Sequence, residues 1–186
     1  MPSYLVSRCL SVDDYGLLKQ GDPRLVEVPG VEGPRLLHAC AATVVYATLQ
    51  LWVEAGKPGA TRKEPMLLLA SGWREPLWNS YAEYKAAMIK QYGSLERGKL
   101  FRAFRSSHGT GLVWDWGTCG LSPVSKTAAK QRVREVYQFL SGLAASGVFA
   151  ACPVECYSME PWHWQARVTR EEWLTPPAWA RQGGGS

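Results

Sequence analysis

Residues 106–117 read Ser106-Ser107-His108-Gly109-Thr110-Gly111-Leu112-Val113-Trp114-Asp115-Trp116-Gly117, and residues 160–164 read Glu160-Pro161-Trp162-His163-Trp164. Between them they hold two of the three histidines in the chain. Leu112 to Trp116, bounded by Gly111 and Gly117, is β-like, so the first stretch reads as a loop running into a strand. Asp115, set between Trp114 and Trp116 in that strand, is a costly carboxylate to bury unless something cationic pairs with it. A metal ion does so. Two neutral imidazoles and one carboxylate leave a fourth tetrahedral position for water, the layout of a catalytic rather than a closed structural zinc site.

Glu160 precedes His163 by three residues. A regular strand aims the two at opposite faces, whereas a kink or bulge at Pro161 brings both to one site. A carboxylate beside a metal has two readings. It is the base that takes a proton from water and returns it to a leaving amine, or it is a partner that orients His163.

Working outward, the flanking sequence supplies helices and short strands. Apolar residues recur at helical spacing from Arg35 to Gly56 (Leu36, Leu37, Cys40, Val44, Ala47, Leu51), and Gly56 with Pro58 ends that helix. Met66 to Ser71 is a short apolar run suited to a buried strand, and a second helix is expected from Pro76 to Gln91. Tyr92 to Thr110 reads as a loop. Ser122-Pro123 starts a helix whose apolar face is Val133, Val136, Tyr137, Leu140 and Leu143 and which stops at Gly147. Val148 to Ala151 and Trp162 to Val168 are expected strands. Thr169 to Glu172 matches a capping box, closed by Pro176-Pro177. The fold class is therefore α+β, with a small, mostly antiparallel sheet and flanking helices. Residues 1–34 form a turn-rich lead-in packed on the domain, 35–180 the domain itself, and 181–186, ending Gly183-Gly184-Gly185-Ser186, a flexible tail or linker.

Composition agrees with a chain that folds around its own core. The 186 residues are 46% hydrophobic, 20% charged and 11% aromatic, which excludes disordered and collagen-like classes. No apolar run approaches the roughly 20 residues of a membrane span, and Met1 to Leu10 lacks the pattern of a secretory signal. Five cysteines (Cys9, Cys40, Cys119, Cys152, Cys156) show no C-x-x-C spacing. They read as buried or free thiols, with Cys152 and Cys156 as the close pair. Net charge is +5, but the basic residues are scattered and no nucleic-acid motif occurs, so a solvated basic surface is expected and a nucleic-acid partner is not. His38 has no motif around it and is read as structural. The nine tryptophans, five of which flank the motifs, are read as core packing before ligand stacking.

The two stretches resemble the zinc D-alanyl-D-alanine carboxypeptidases and related peptidoglycan endopeptidases, the group with lysostaphin-type and hedgehog-type zinc folds. That family carries S-x-H-x-x-G-x-A-x-D, which Ser106, His108, Gly111 and Asp115 fit, with Val113 in place of Ala. It carries E-P-W-H-W, reproduced by Glu160 to Trp164, and upstream S-G-x-R, matched by Ser71-Gly72-Trp73-Arg74. The three motifs span about half of the chain. The resemblance implies one Zn2+ on His108, Asp115 and His163. It also implies water on that metal with Glu160 as general base, and Arg74 holding an oxyanion or a substrate carboxylate. Taken without the resemblance, Arg74 is an ordinary surface charge. Ser106 is implied near substrate, with a plain turn role as its alternative.

The departures bear on substrate. Asn79 stands where the family usually has Gln, five residues after the motif arginine, Phe104-Arg105 replaces a usual Pro-Gly, and Gln165 stands where Arg or Lys is common. Carboxypeptidase and endopeptidase branches both stay open. The expected partner is a peptidoglycan peptide at the bacterial cell wall, periplasmic or extracellular, reached by lysis, by injection from a phage-like assembly, or after trimming of a leader. The competing expectation is a catalytically inactive zinc-containing module that binds cell wall or protein, against which the retained Glu160 argues.

Overall fold

The computed structural model describes residues 4–30, 33–57, 67–118, 126–158, 160 and 162–181. The fold is α+β. Strands β1 (Leu5–Val6), β2 (Leu25–Val28), β3 (Arg35–His38), β4 (Leu67–Ser71), β5 (Val113–Thr118), β6 (Val154–Tyr157) and β7 (His163–Ala166) are interspersed with helices, with β2–β3 and β6–β7 consecutive in the chain. The helices are α1 (Val12–Tyr15), α2 (Ala39–Glu54), α3 (Tyr81–Tyr92), α4 (Leu95–Lys99), α5 (Lys126–Ser146), α6 (Arg170–Leu174) and α7 (Ala178–Arg181). The main sheet runs β1-β6-β7-β5-β4, and β2 with β3 makes a separate two-stranded ladder. The sheet is mostly antiparallel, as expected; β1, the short edge strand, joins β6 in parallel.

Register decides what the sheet can display. Asp115 lies directly opposite His163 across β5 and β7, and Ser71 lies opposite Asp115 across β4 and β5. The β4 register shifts between Leu69 and Ser71. Because side chains alternate with period two, a shift of this kind changes which face a strand end presents. Trp114, Trp164, Leu67 and Leu69 are almost wholly buried and join the central core with residues of α2 and α5. Trp162, by contrast, is exposed at 43%.

Several boundaries differ from the sequence reading. Arg35 to His38 is a strand, not the first turn of the long helix, because Leu25–Val28 offers it an antiparallel ladder. His38 then ends the strand and caps α2, its Nδ1 accepting the Cys40 N–H at 3.2 Å. The second helix begins at Tyr81, where Ser80 is the N-cap and accepts from Glu83 N–H, and it ends at Gly93 in the left-handed region. The stretch read as a loop contains α4 and a 3-10 turn at Ser107–Thr110, each started by a serine cap, Ser94 and Ser106. Few apolar residues are needed for one turn of helix, so periodicity gave no signal there.

Val148 to Ala151 is not a strand. After Gly147, whose φ is 74°, the backbone closes two successive turns, Ala150 N–H to Gly147 O and Cys152 N–H to Phe149 O, both at 3.0 Å. The strand starts past Pro153. The capping box of α6 is present, with Thr169 and Glu172 bonding reciprocally. The Ser122-Pro123 start of α5, and Pro161, lie outside the described residues.

Candidate metal centre

The row formed by Ser71, Asp115 and His163 is completed by His108, which arrives from the 3-10 turn before β5. Ser106 caps that turn by accepting the His108 N–H at 3.4 Å, and Gly111 ends it with φ of 74°. A side chain at Gly111 would meet the Leu18 side chain and both the backbone N and the Cβ of His38 within 2.9–3.1 Å, so the turn closes against its neighbours only with glycine there. Behind it, the Trp173 indole N–H donates to the Thr110 carbonyl at 2.9 Å.

Donor atoms of His108, Asp115 and His163 all lie within 4.8 Å of one another. His108 Nε2 is 3.4 Å from Asp115 Oδ2, and His163 Nδ1 is 2.9 Å from Asp115 Oδ1. Both imidazoles are buried, and the carboxylate retains slight exposure. His108 Nδ1 lies 2.8 Å from the Gly72 carbonyl, which can only accept. The proton therefore sits on Nδ1, and Nε2 turns its lone pair toward Asp115, the tautomer a metal ligand needs.

His163 is held from its far side. Its Nε2 is 3.5 Å from Cys9 Sγ, leaving Nδ1 toward Asp115. Burial works against its charge, but hydrogen bonds to Asp115 and Cys9 outweigh that and push the imidazole up to about 9. Burial likewise disfavours charge on Asp115, yet the two neighbouring imidazoles, His108 and His163, hold its carboxyl well below the usual range. A metal held here would have to displace the His163 proton, and its affinity would then rise with pH. The donor set, two nitrogens and one oxygen within 4.8 Å of one another, is of the kind zinc takes, and three protein donors leave the fourth tetrahedral position to a ligand from elsewhere.

Glu160 and His163 meet through a turn in which His163 N–H donates to Glu160 O at 2.9 Å. This brings Glu160 Oε2 to 3.8 Å from His163 Nδ1, with the Glu160 side chain 45% exposed. Arg74, beyond the end of β4, donates from Nη2 to Asp115 Oδ2 at 3.0 Å and lies 3.1 Å from His108 Nε2, while its Nε donates to Ser71 Oγ at 3.0 Å. Its guanidinium remains half-exposed.

The remaining site candidates divide. Ser106 both caps the His108 turn and lines a neighbouring cavity. Asn79 is exposed ahead of α3, its backbone N–H bonded to Glu83 Oε2 at 2.9 Å, and it is not in that cavity wall. Gln165 is buried next to the centre. Its carbonyl accepts Leu10 N–H and its amide donates to Glu155, which pairs with Arg167. This ties the N-terminal segment, and with it Cys9, over the sheet. Cys9 carries no motif and lies 154 positions from His163, so sequence reading had no means to find it. Ser71, the first residue of the S-G-x-R match, contacts both Arg74 and His108 through its hydroxyl.

Among the described residues Cys9, Cys40, Cys152 and Cys156 form no disulfide with one another. Burial pushes Cys40 and Cys156 up to about 12, which makes them inert. No helix among the described residues is long and apolar enough to cross a membrane.

No protein-family model matches this chain, and no curated protein matches it. A solved structure to which it is similar is the crystal structure, with Zn(II), of a mutant of the vancomycin resistance D,D-pentapeptidase VanY from a VanB-type resistance cassette. The two share 16% identity over 86% of this chain and 94% of that one, with a TM-score of 0.39. At that level the likeness does not bear on the chemistry of this chain, whose α+β class stands on its own elements.

Proposed function

We propose that this chain is a zinc metallopeptidase that hydrolyses a peptide bond in peptidoglycan stem peptides or crosslinks. One observation carries the reading: His108, Asp115 and His163 converge within 4.8 Å, and a further carboxylate, Glu160, stands beside them. When bound, zinc supplies Lewis acidity that polarises a carbonyl and acidifies water. Glu160 is exposed enough to meet substrate, and it takes the proton of the attacking water and hands it to the leaving amine. Arg74, permanently charged and half-exposed, stabilises the oxyanion or grips a substrate carboxylate. Ser71 steers that guanidinium through its 3.0 Å bond. Ser106 holds the His108 turn at the edge of the substrate space, and Asn79 contacts substrate further out.

The peptidoglycan substrate rests on the S-G-x-R, S-x-H and E-P-W-H-W resemblances, and it places action at the bacterial cell wall, where the basic surface favours an anionic polymer. Elemental analysis of the purified protein, reloaded with zinc, tests the centre. One zinc per chain is expected. His163→Ala loses metal and activity together, because it removes one of three protein ligands. No stoichiometric zinc in the wild type would overturn the assignment. Zinc without peptide release would favour the binding module.

A further inference from the structure

Residues 81–105 concentrate positive charge on exposed surface. The stretch carries six basic residues, Lys85, Lys90, Arg97, Lys99, Arg102 and Arg105, against two acidic ones, Glu83 and Glu96. All six are exposed. Arg105 pairs with Asp13 at 3.5 Å, whereas Arg97, Lys99 and Arg102 form no ion pair among the described residues. Within this field stands Lys99-Leu100-Phe101-Arg102, the turn that ends α4. Leu100 is 80% exposed and Phe101 62%. Single exposed apolar residues are ordinary, but two in succession at a turn, with an unpaired cation on each side, mark a surface that meets something.

The turn is firmly built. Gly98 is buried where a Cβ would come within 2.6–2.8 Å of the Met88 side chain, so α4 closes directly on α3. Phe101 stacks on Tyr92 with centroids 5.2 Å apart, and the Tyr84 hydroxyl donates to the Arg102 carbonyl at 2.7 Å. Leu100 N–H donates to Arg97 O, and Phe101 and Arg102 N–H both donate to Gly98 O, at 3.0–3.2 Å. The apolar tips can therefore leave water without stranding these backbone donors, the condition that lipid imposes. On α3, Ile89 and Tyr92 share one face with Lys85 by their spacing, and Ile89, 45% exposed, extends the apolar surface on the Tyr92 side.

A second copy of this chain is a poor occupant, because a two-fold contact would set Lys99 and Arg102 against themselves. A peptide partner needs a recess to fill, and Leu100 projects. An anionic bilayer matches both features. Its headgroups attract the cations, each worth roughly fivefold in partitioning. Its interface takes up the apolar tips while the long Lys and Arg side chains reach back to the phosphates.

We infer that the Lys99–Arg102 turn docks this chain on a membrane surface rich in anionic lipid. Such docking needs no spanning helix and stands apart from the metallopeptidase reading, so the two fail independently. If both hold, the chain is kept at the membrane-facing side of the wall, within reach of its proposed substrate. Purified full-length chain is sedimented with vesicles of phosphatidylglycerol and phosphatidylcholine in equal parts, and with vesicles of phosphatidylcholine alone. Binding to the first and not the second is expected, weakening as salt rises.

Leu100→Ser should lower the partition constant roughly tenfold or more, and Lys99→Gln roughly fivefold. Thermal midpoint and zinc content should stay as in the wild type, since both positions are exposed and neither lines the cavity beside the metal centre. Absence of binding to the anionic vesicles by folded wild type, or equal binding to the neutral ones, would overturn the inference. Wild-type-like vesicle binding by Leu100→Ser would overturn it too. Soluble poly(glycerol phosphate) serves as the competing ligand: tight binding to it that Lys99→Gln weakens, with vesicle binding indifferent to Leu100, would assign the patch to a phosphate polymer instead of a bilayer.

Discussion

Acidification should destabilise this protein through His38, a residue with no part in the proposed reaction. His38 is wholly buried at the junction of β3 and α2. Its Nδ1 accepts the Cys40 N–H, so its Nε2 must carry the proton that it donates to the Trp173 carbonyl at 2.9 Å. A second proton would land on Nδ1, facing a donor and breaking the cap of α2. Burial first, and the nearby Arg24 charge in addition, lower its pKa to about 4, although the Trp173 carbonyl pulls the other way. The unfolded chain binds this proton near 6.5. The stability it represents is therefore fully present above about pH 6.5 and is lost as the pH falls toward 4. At about 1.36 kcal/mol per pH unit, the loss is roughly 3 kcal/mol, a large share of a typical domain's stability. Urea unfolding followed by tryptophan fluorescence from pH 7.5 to 4, for the wild type and His38→Gln, isolates it. The wild type should lose roughly 3 kcal/mol more than the variant across that range. Parallel pH profiles would refute the buried neutral imidazole.

Other perturbations follow from single contacts. Trp173→Phe removes the buried bond to the Thr110 carbonyl and should cost about 1–3 kcal/mol in thermal or urea unfolding. Gly111→Ala forces a side chain into a left-handed turn that is already crowded by Leu18 and His38. It should cost at least about 1–2 kcal/mol and weaken zinc binding as the His108 turn shifts, both readable by calorimetry. Gln165→Leu strands the Leu10 amide and one Glu155 oxygen, so amide exchange at Leu10 should quicken while the β5–β7 ladder stays protected.

The centre was legible in the sequence to the extent that its chemistry is local. Asp115 between two tryptophans demanded a cationic partner, and the three-residue spacing from Glu160 to His163 left open whether a turn would join them. The structure supplies that turn through His163 N–H to Glu160 O. What sequence could not supply was long-range. Direct register of Asp115 on His163 depends on strand pairing that no local pattern encodes. The backing of His108 by Gly72 O and of His163 by Cys9 joins residues tens to over a hundred positions apart. The same cause explains the misread start of α2, where Leu36 and Leu37 fit helical spacing but a partner strand from Leu25 to Val28 won the backbone. At Val148 to Ala151 the composition suited a strand, yet turns after Gly147 took the hydrogen bonds.

The reaction itself is tested most directly by peptide release from defined peptidoglycan, comparing wild type with Glu160→Gln at equal zinc occupancy. Glutamine keeps the shape of Glu160 but cannot accept a proton, and loss of a general base costs about 10²–10⁴ in rate. The expected result is release of stem or crosslink peptides by the wild type, a fall of that size in Glu160→Gln, and one zinc per chain in both. Wild-type-like release by zinc-loaded Glu160→Gln would contradict the assignment of Glu160 as base. Absence of release by the zinc-loaded wild type on every peptidoglycan tested would contradict the peptidase.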